Sequence, residues 1–182
     1  MKKTLFPIWI FLIVSCFCAA DMLHADETSR GKLAQAKQYV AEGELDFAFM
    51  EYRALLQEKP NSEGALEATF AIGEYYFKQR NGREAKEAFE QYLAQAEEEI
   101  PRLLADVYLL QCFRLLGELS AFQTLEFQLK EMLSSKKLFL AFENERVQTW
   151  SSPLGNHFEL REFVDRLEIT QDGKSFYAIR LP

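Results

Sequence analysis

Residues 36–60 read AKQYVAEGELDFAFMEYRALLQEKP, and residues 73–97 read GEYYFKQRNGREAKEAFEQYLAQAE. Laid one over the other, they place Ala36 on Gly73, Tyr39 on Tyr76, Gly43 on Arg80, Ala48 on Ala85 and Tyr52 on Phe89. The offset is 37 residues, and Leu110, Phe113 and Gly117 repeat the first three positions at the same distance. Leu55, Tyr92 and Leu129 continue the series. A fixed period of about 20–50 residues marks stacked supersecondary units, none of which can bury its apolar face alone. Within each unit the apolar positions recur at helical spacing among Ala, Leu, Glu, Gln and Lys, so each unit predicts a pair of helices. The expected helices are 29–42, 45–58, 62–79, 83–98, 101–116 and 120–134.

The steric logic of the repeat is simple. Small side chains at Ala36, Gly73, Ala48 and Ala85 let paired helices approach closely, while Tyr39, Tyr52, Tyr76 and Phe89 fill the volume between them. This pattern resembles the tetratricopeptide repeat: a small residue three before an aromatic, Ala nine after it, a second aromatic four later, and Pro60 closing the first unit. The resemblance covers roughly residues 30–134. The usual period is about 34 residues, so longer helices or loops are expected here. The third unit departs from the pattern, with Phe122 and Glu126 where Ala and an aromatic recur; Ala121 and Leu125, one residue earlier, fit better. Terminal repeats diverge because one face lacks a neighbour. Pro60 to Ala68 is similar to the inter-repeat joint of exported bacterial repeat proteins. Asp46 and Ser62 are candidate helix caps, Ser120-Ala-Phe-Gln123 has capping-box spacing, and Pro101 suits a first helical turn.

The chain has 182 residues, 48% of them hydrophobic and 27% charged, proportions that argue against a disordered, collagenous or polytopic membrane chain. Its first 25 residues stand apart. Lys2 and Lys3 precede an apolar run from Leu5 to Val14, then Ser15, Ala19 and Ala20, the layout of a secretory signal peptide. That run is well short of the ~20 apolar residues a spanning helix needs. Cleavage before Cys16, after Ala20 and after Ala25 all fit. Ile13-Val14-Ser15-Cys16 resembles the lipobox of bacterial lipoproteins, which makes Cys16 the lipidation candidate and implies a membrane tether through an acylated cysteine. An exported, periplasmic protein is expected. Removing residues 1–25 takes away Lys2, Lys3 and Asp21, so the net charge moves from -7 to -8. Such an acidic chain is a poor nucleic-acid ligand, because phosphate neutralisation supplies most non-specific affinity. Ordinary signal-peptidase cleavage after Ala20 or Ala25 leaves Cys112 as the one cysteine, in an apolar helical stretch where a thiol acts as a small hydrophobe.

Residues 135–182 match no repeat and form a small appendage. Lys137 to Trp150 reads as a possible seventh helix, and Ser151 to Asn156 as a loop. Asn156-His-Phe-Glu159 has capping-box form, and Phe158, Leu160, Phe163, Val164 and Leu167 predict a short amphipathic helix. Leu167 to Thr170 and Ser175 to Leu181 flank Asp172-Gly173, a β-hairpin signal. A lone hairpin is marginal in water, so it either packs on the last helices or joins a partner's sheet. The expected fold is thus all-α, a helical-hairpin solenoid of about three tetratricopeptide-like repeats over 29–134, with a C-terminal helix and hairpin over 135–182.

The residues that carry chemistry are few. His157 is the one histidine beyond the leader, so no catalytic dyad, zinc set or cofactor is expected. No P-loop, dinucleotide fingerprint or nucleophile elbow occurs. Glu97 to Glu99 reads as a solvated helix end. What remains is a binding surface. In tetratricopeptide proteins the first helix of each pair lines a concave groove, which implies Lys37 and Val40, then Phe70, Glu74 and Phe77, then Val107, Gln111 and Arg114. These offer apolar sockets with flanking charges to a protein or peptide partner. Phe70 and Phe77 read equally as core, and Phe158 and Phe163 are candidates to fill the groove from the same chain. Two functions stand open: a non-enzymatic envelope scaffold, or a subunit of a secretion, pilus or outer-membrane complex docking through its hairpin.

Overall fold

The computed structural model describes residues 29–60, 62, 64–135, 146–163 and 165–181. The leader, with Cys16 and its cleavage positions, and residues 136–145 lie outside the described residues; of the segment 137–150 read as a seventh helix, the described part, 146–150, is strand instead. Six helices and four strands follow in order among those that are described: α1 (29–42), α2 (Leu45–Glu58), α3 (Ala65–Lys78), α4 (Gly82–Leu93), α5 (Glu99–Leu116), α6 (Leu119–Ser135), then β1 (Arg146–Ser151), β2 (His157–Glu162), β3 (Arg166–Gln171) and β4 (Lys174–Arg180). None of these helices is long and apolar enough to cross a membrane.

The 37-residue period is a repeated helix stop. At Gly43 the chain turns left-handed (φ 80°), its N–H donating to the Val40 carbonyl and that of Glu44 to Tyr39. Gly117 (φ 73°) repeats this, donating to Arg114 while Glu118 donates to Phe113. Arg80 (φ 58°) does the same with Phe77, and Asn81 with Tyr76. Each is a Schellman stop, which satisfies the last helical carbonyls and sends the chain into the next helix. Asp46, Ser62 and Ser120 therefore do not cap: α2 and α4 begin at Glu44 and Asn81 without a side-chain cap, α3 begins at Gly64, and Ser120 lies inside α6. Arg80 holds a conformation that costs a residue with a Cβ about 1–2 kcal/mol. Arg80→Gly should raise stability by about 0.5–1 kcal/mol, read as a higher urea midpoint; an unchanged or lower midpoint would show that the exposed arginine side chain supports the turn.

The repeat positions do pack as their sizes suggest. Ala36, Ala48 and Ala85 are buried, Tyr52 and Phe89 have no exposed surface, and a Cβ on Gly73 would lie 2.9 Å from the Phe89 ring. Helices neighbouring in sequence pack in turn from α2 to α6, and α3 also touches α5. In the third unit Ala121 and Leu125 face Leu109 and Phe113 across an apolar groove. Cys112 is fully buried, and burial pushes its thiol up to about 12, as suits a small hydrophobe.

The tail is not a helix plus a hairpin but an antiparallel meander, β1-β2-β3-β4. Residues 146–151 pair with 157–162, and the segment read as an amphipathic helix is strand β2 with the turn after it. Alternation decided this: Phe158 and Leu160, Leu167 and Ile169, Tyr177 and Ile179 all face inward at a period of two. The expected hairpin is present, with Asp172 (φ 51°) and Gly173 (φ 73°) both left-handed, as a two-residue turn between twisted strands requires. A bulge on β4 leaves Phe176 without a register partner between Ser175 and Tyr177, so neighbouring side chains reach the helices. Phe176 packs on Tyr108, and the Tyr177 hydroxyl donates to Glu126 of α6. The docked alternative is the observed one: helices α3 to α6 and the sheet share one core.

Candidate functional site

The eight groove residues come together, and the protein covers most of them itself. α3 presents Phe70, Glu74 and Phe77, α5 presents Val107, Gln111 and Arg114, and α1 supplies Lys37 and Val40. The inner face of the sheet and the β1–β2 loop, residues 152–156, close over the middle of this surface. Phe70 and Val107 are buried, and the Phe70 ring meets Trp150 edge-on at 5.1 Å. Phe77 meets Tyr108 at 5.2 Å. Gln111 Nε2 donates to the Phe176 carbonyl at the bulge (3.2 Å), and a Cβ on Gly155 would lie 3.2 Å from Val40 Cγ1. Lys37 and Arg114 stay at the surface, Lys37 paired with Glu67 at 3.0 Å and Arg114 donating to Gln111 at 3.4 Å. Of the two candidate fillers, Phe158 enters the groove, with no exposed surface. Phe163 does not; it lies under the Arg166 guanidinium, 4.0 Å from it, at the β2–β3 turn.

Tyr108 is the hub that sequence reasoning missed. Its ring stacks on Phe89 (4.7 Å, 9°) and meets Phe77, Phe158 and Phe176 at steep angles, so helices and sheet converge on one side chain. Its hydroxyl donates to Glu74 Oε1 at 2.9 Å, and Asn156 Nδ2 donates to the same oxygen at 2.8 Å. The Leu154 N–H approaches Oε2 at 3.4 Å, and the Ser152 side chain also bonds the carboxyl group. Glu74 is thus a buried carboxylate tying α3 to α5 and to the loop that closes the groove. Desolvation pushes its pKa up to about 7, against those hydrogen bonds, which favour the charged form. The signal for this network was a glutamate among aromatics on a groove-facing helix.

One end of the groove is not filled. A half-open cleft of about 550 Å³ remains between α3, the α4–α5 connection and the end of β1, with Phe70, Tyr92 and Trp150 among its walls and Glu67, Glu97, Glu98 and Lys37 at its polar side. His157, the first residue of β2, is exposed with Nδ1 3.4 Å from Ser151 Oγ. Among the described residues no group of three or more His, Cys, Asp or Glu is placed to hold a metal ion. Comparison with protein-family models, curated proteins and solved structures finds no match for the chain.

Proposed function

We propose that this protein is an exported, non-enzymatic scaffold of the tetratricopeptide type that holds a protein partner in the bacterial cell envelope, where it serves the assembly of an envelope complex. The observation that carries the proposal is the threefold helix stop at Gly43, Arg80 and Gly117. It makes the chain an array of helical hairpins, an architecture whose use is to present surface rather than to assemble a reaction centre. Export is inferred from the basic, apolar and small-residue order of the first 25 residues, and tethering from Cys16. Large apolar side chains left outside support partner binding: Phe47 and Met50 on α2, and Leu115, Leu116 and Leu119 around the third turn. Because the sheet occupies the middle of the groove, the partner is met at these outer positions and at the open cleft rather than on Phe77.

Crosslinking of intact envelopes from the bacterium carrying a tagged copy, followed by mass spectrometry, should recover the same envelope protein in repeated preparations. Recovery of the chain alone would sink the scaffold. A second reading has one observation behind it: among the described residues β4 pairs with β3 alone, an edge position that a partner's strand could extend. Crosslinks confined to residues 174–180 would favour that reading over the first.

A further inference from the structure

The walls of the open cleft differ in chemistry from the groove the sheet has filled. Phe70, Tyr92 and Trp150 meet there, with Phe70 edge-on to both of the others at 5.0 and 5.1 Å. Glu67, Glu97 and Glu98 line the same space, and Lys37, its one basic residue, is already neutralised by Glu67 at 3.0 Å. Glu97 and Glu98 are exposed, have no ion-pair partner among the described residues, and leave the cleft with net negative charge. A second feature is independent of that charge. Tyr92 is 5% exposed, lines the cleft, and its hydroxyl has no hydrogen-bond partner among the described residues. Burial and the nearby Glu98 carboxylate push this phenol up to about 12 against the pull of the Arg102 guanidinium, which is itself bound to the Leu93 and Ala96 carbonyls; at neutral pH the phenol is a hydroxyl able to accept a donated N–H.

A ligand for this place needs a flat cationic group that donates in several directions and tolerates an aromatic wall. A guanidinium does so: it is planar, weakly hydrated, pairs with carboxylates in two-pronged geometry and stacks on aromatic rings. An ammonium is a compact, strongly hydrated charge that loses more on entering such a site. The volume, about 550 Å³, lies within the range of roughly 300–1,000 Å³ usual for specific small sites and exceeds one side chain. The α5 N-terminus adds partial positive charge beside the cleft, and Glu98 and Glu99 lie there to offset it.

We propose that the cleft docks a basic peptide segment of the protein partner, with one arginine side chain laid against the half-buried Trp150 ring and its guanidinium held between Glu97, Glu98 and the Tyr92 hydroxyl. This rests on the scaffold function proposed above and narrows its partner to a polypeptide with an accessible arginine. The binding adds no chemistry to the ligand; it positions it.

The chain has two tryptophans, Trp9 and Trp150, so the full-length protein carrying Trp9→Phe reports on the cleft alone. Titration with a blocked tetra-arginine peptide should change Trp150 fluorescence saturably, about tenfold more tightly than the tetra-lysine peptide and with no response to tetra-glutamate. Glu97→Gln with Glu98→Gln should weaken tetra-arginine binding at least ~10-fold, and Tyr92→Phe, which keeps the ring, by roughly 3-fold. Circular dichroism melts check that these variants keep the fold. Silence up to millimolar tetra-arginine, equal affinity for tetra-glutamate, or an unchanged affinity in the double glutamate variant would each overturn the proposal. Spermidine binding as tightly as tetra-arginine would overturn a peptide occupant in favour of a free polyamine. A partner recovered by crosslinking without arginine binding ends this proposal but leaves the scaffold, whereas arginine binding without any recovered partner keeps the arginine site and overturns its assignment to a scaffold's partner.

Discussion

Phe158→Ala should cost about 3–5 kcal/mol of stability and bring down the helices together with the sheet. Phe158 is fully buried on β2 and meets Tyr108, Trp150 and Phe176 with ring centroids 6.1, 6.1 and 5.6 Å apart. The shell around the cavity is itself pinned by Phe70, Phe77 and Phe89, so it has little freedom to collapse. A domain of this size has about 5–15 kcal/mol to lose. Urea unfolding followed by helical circular dichroism and by Trp150 fluorescence should give one shifted midpoint for both signals. If the fluorescence transition moved while the helical one stayed put, the shared core would be disproved and the sheet shown to be a separate unit. The same packing means that truncation after Trp150 removes the cover of Phe70 and destabilises the repeats, so loss of partner capture in that truncation would not identify the tail as the docking surface.

Glu74→Gln should flatten the pH dependence of stability and strengthen the protein above neutrality. The carboxyl pKa rises from an ordinary 4.5 to about 7 on folding, because burial disfavours the charge more than its hydrogen bonds favour it. Between those values the native state binds the proton and the unfolded state does not, so stability falls as pH rises through the window. The full contribution is about 3 kcal/mol, present below pH 4.5 and absent above about pH 7. Asp106, pushed up by burial from 3.8 to about 6, contributes with the same sign at lower pH and remains in the variant. The substitution is sterically mild: an amide oxygen still accepts from Tyr108 and Asn156, while the amide nitrogen takes the Oε2 position and gives up the long 3.4 Å contact from the Leu154 N–H. Urea midpoints at pH 5 and pH 8 measure the effect. Wild type should lose more than the variant between the two, and parallel losses would show that the carboxylate is better solvated than its burial implies.

The helical half of this fold was legible because its boundaries are written locally. Gly43, Arg80 and Gly117 end their helices through bonds to residues three and five back, and a sequence reader can see that spacing. The tail was misread because its local signals are used at long range. The capping-box form at Asn156 does not start a helix: the Asn156 amide bonds Glu74, and the His157 N–H takes Asp172 Oδ1 instead. Phe158 and Leu160 fit either period in isolation, and only the matching pairs on β3 and β4 make them a strand face. The groove positions were readable as a surface, since Phe70, Glu74 and Phe77 share one side of α3. That the chain supplies the occupant was not, because Phe70 meets Trp150 and Tyr52 meets Pro153 across a separation no local pattern encodes.

Those separations also impose an order on the protein's birth. Tyr52 waits for Pro153, 101 residues later, and Glu74 waits for Asn156, 82 later. When α6 has been synthesised, every wall of the groove exists and nothing yet covers it. At about 5–20 residues per second, the last strands follow only seconds afterwards. Through that interval the nascent chain carries an uncovered aromatic seam around Tyr108, open to any chaperone that binds apolar surface.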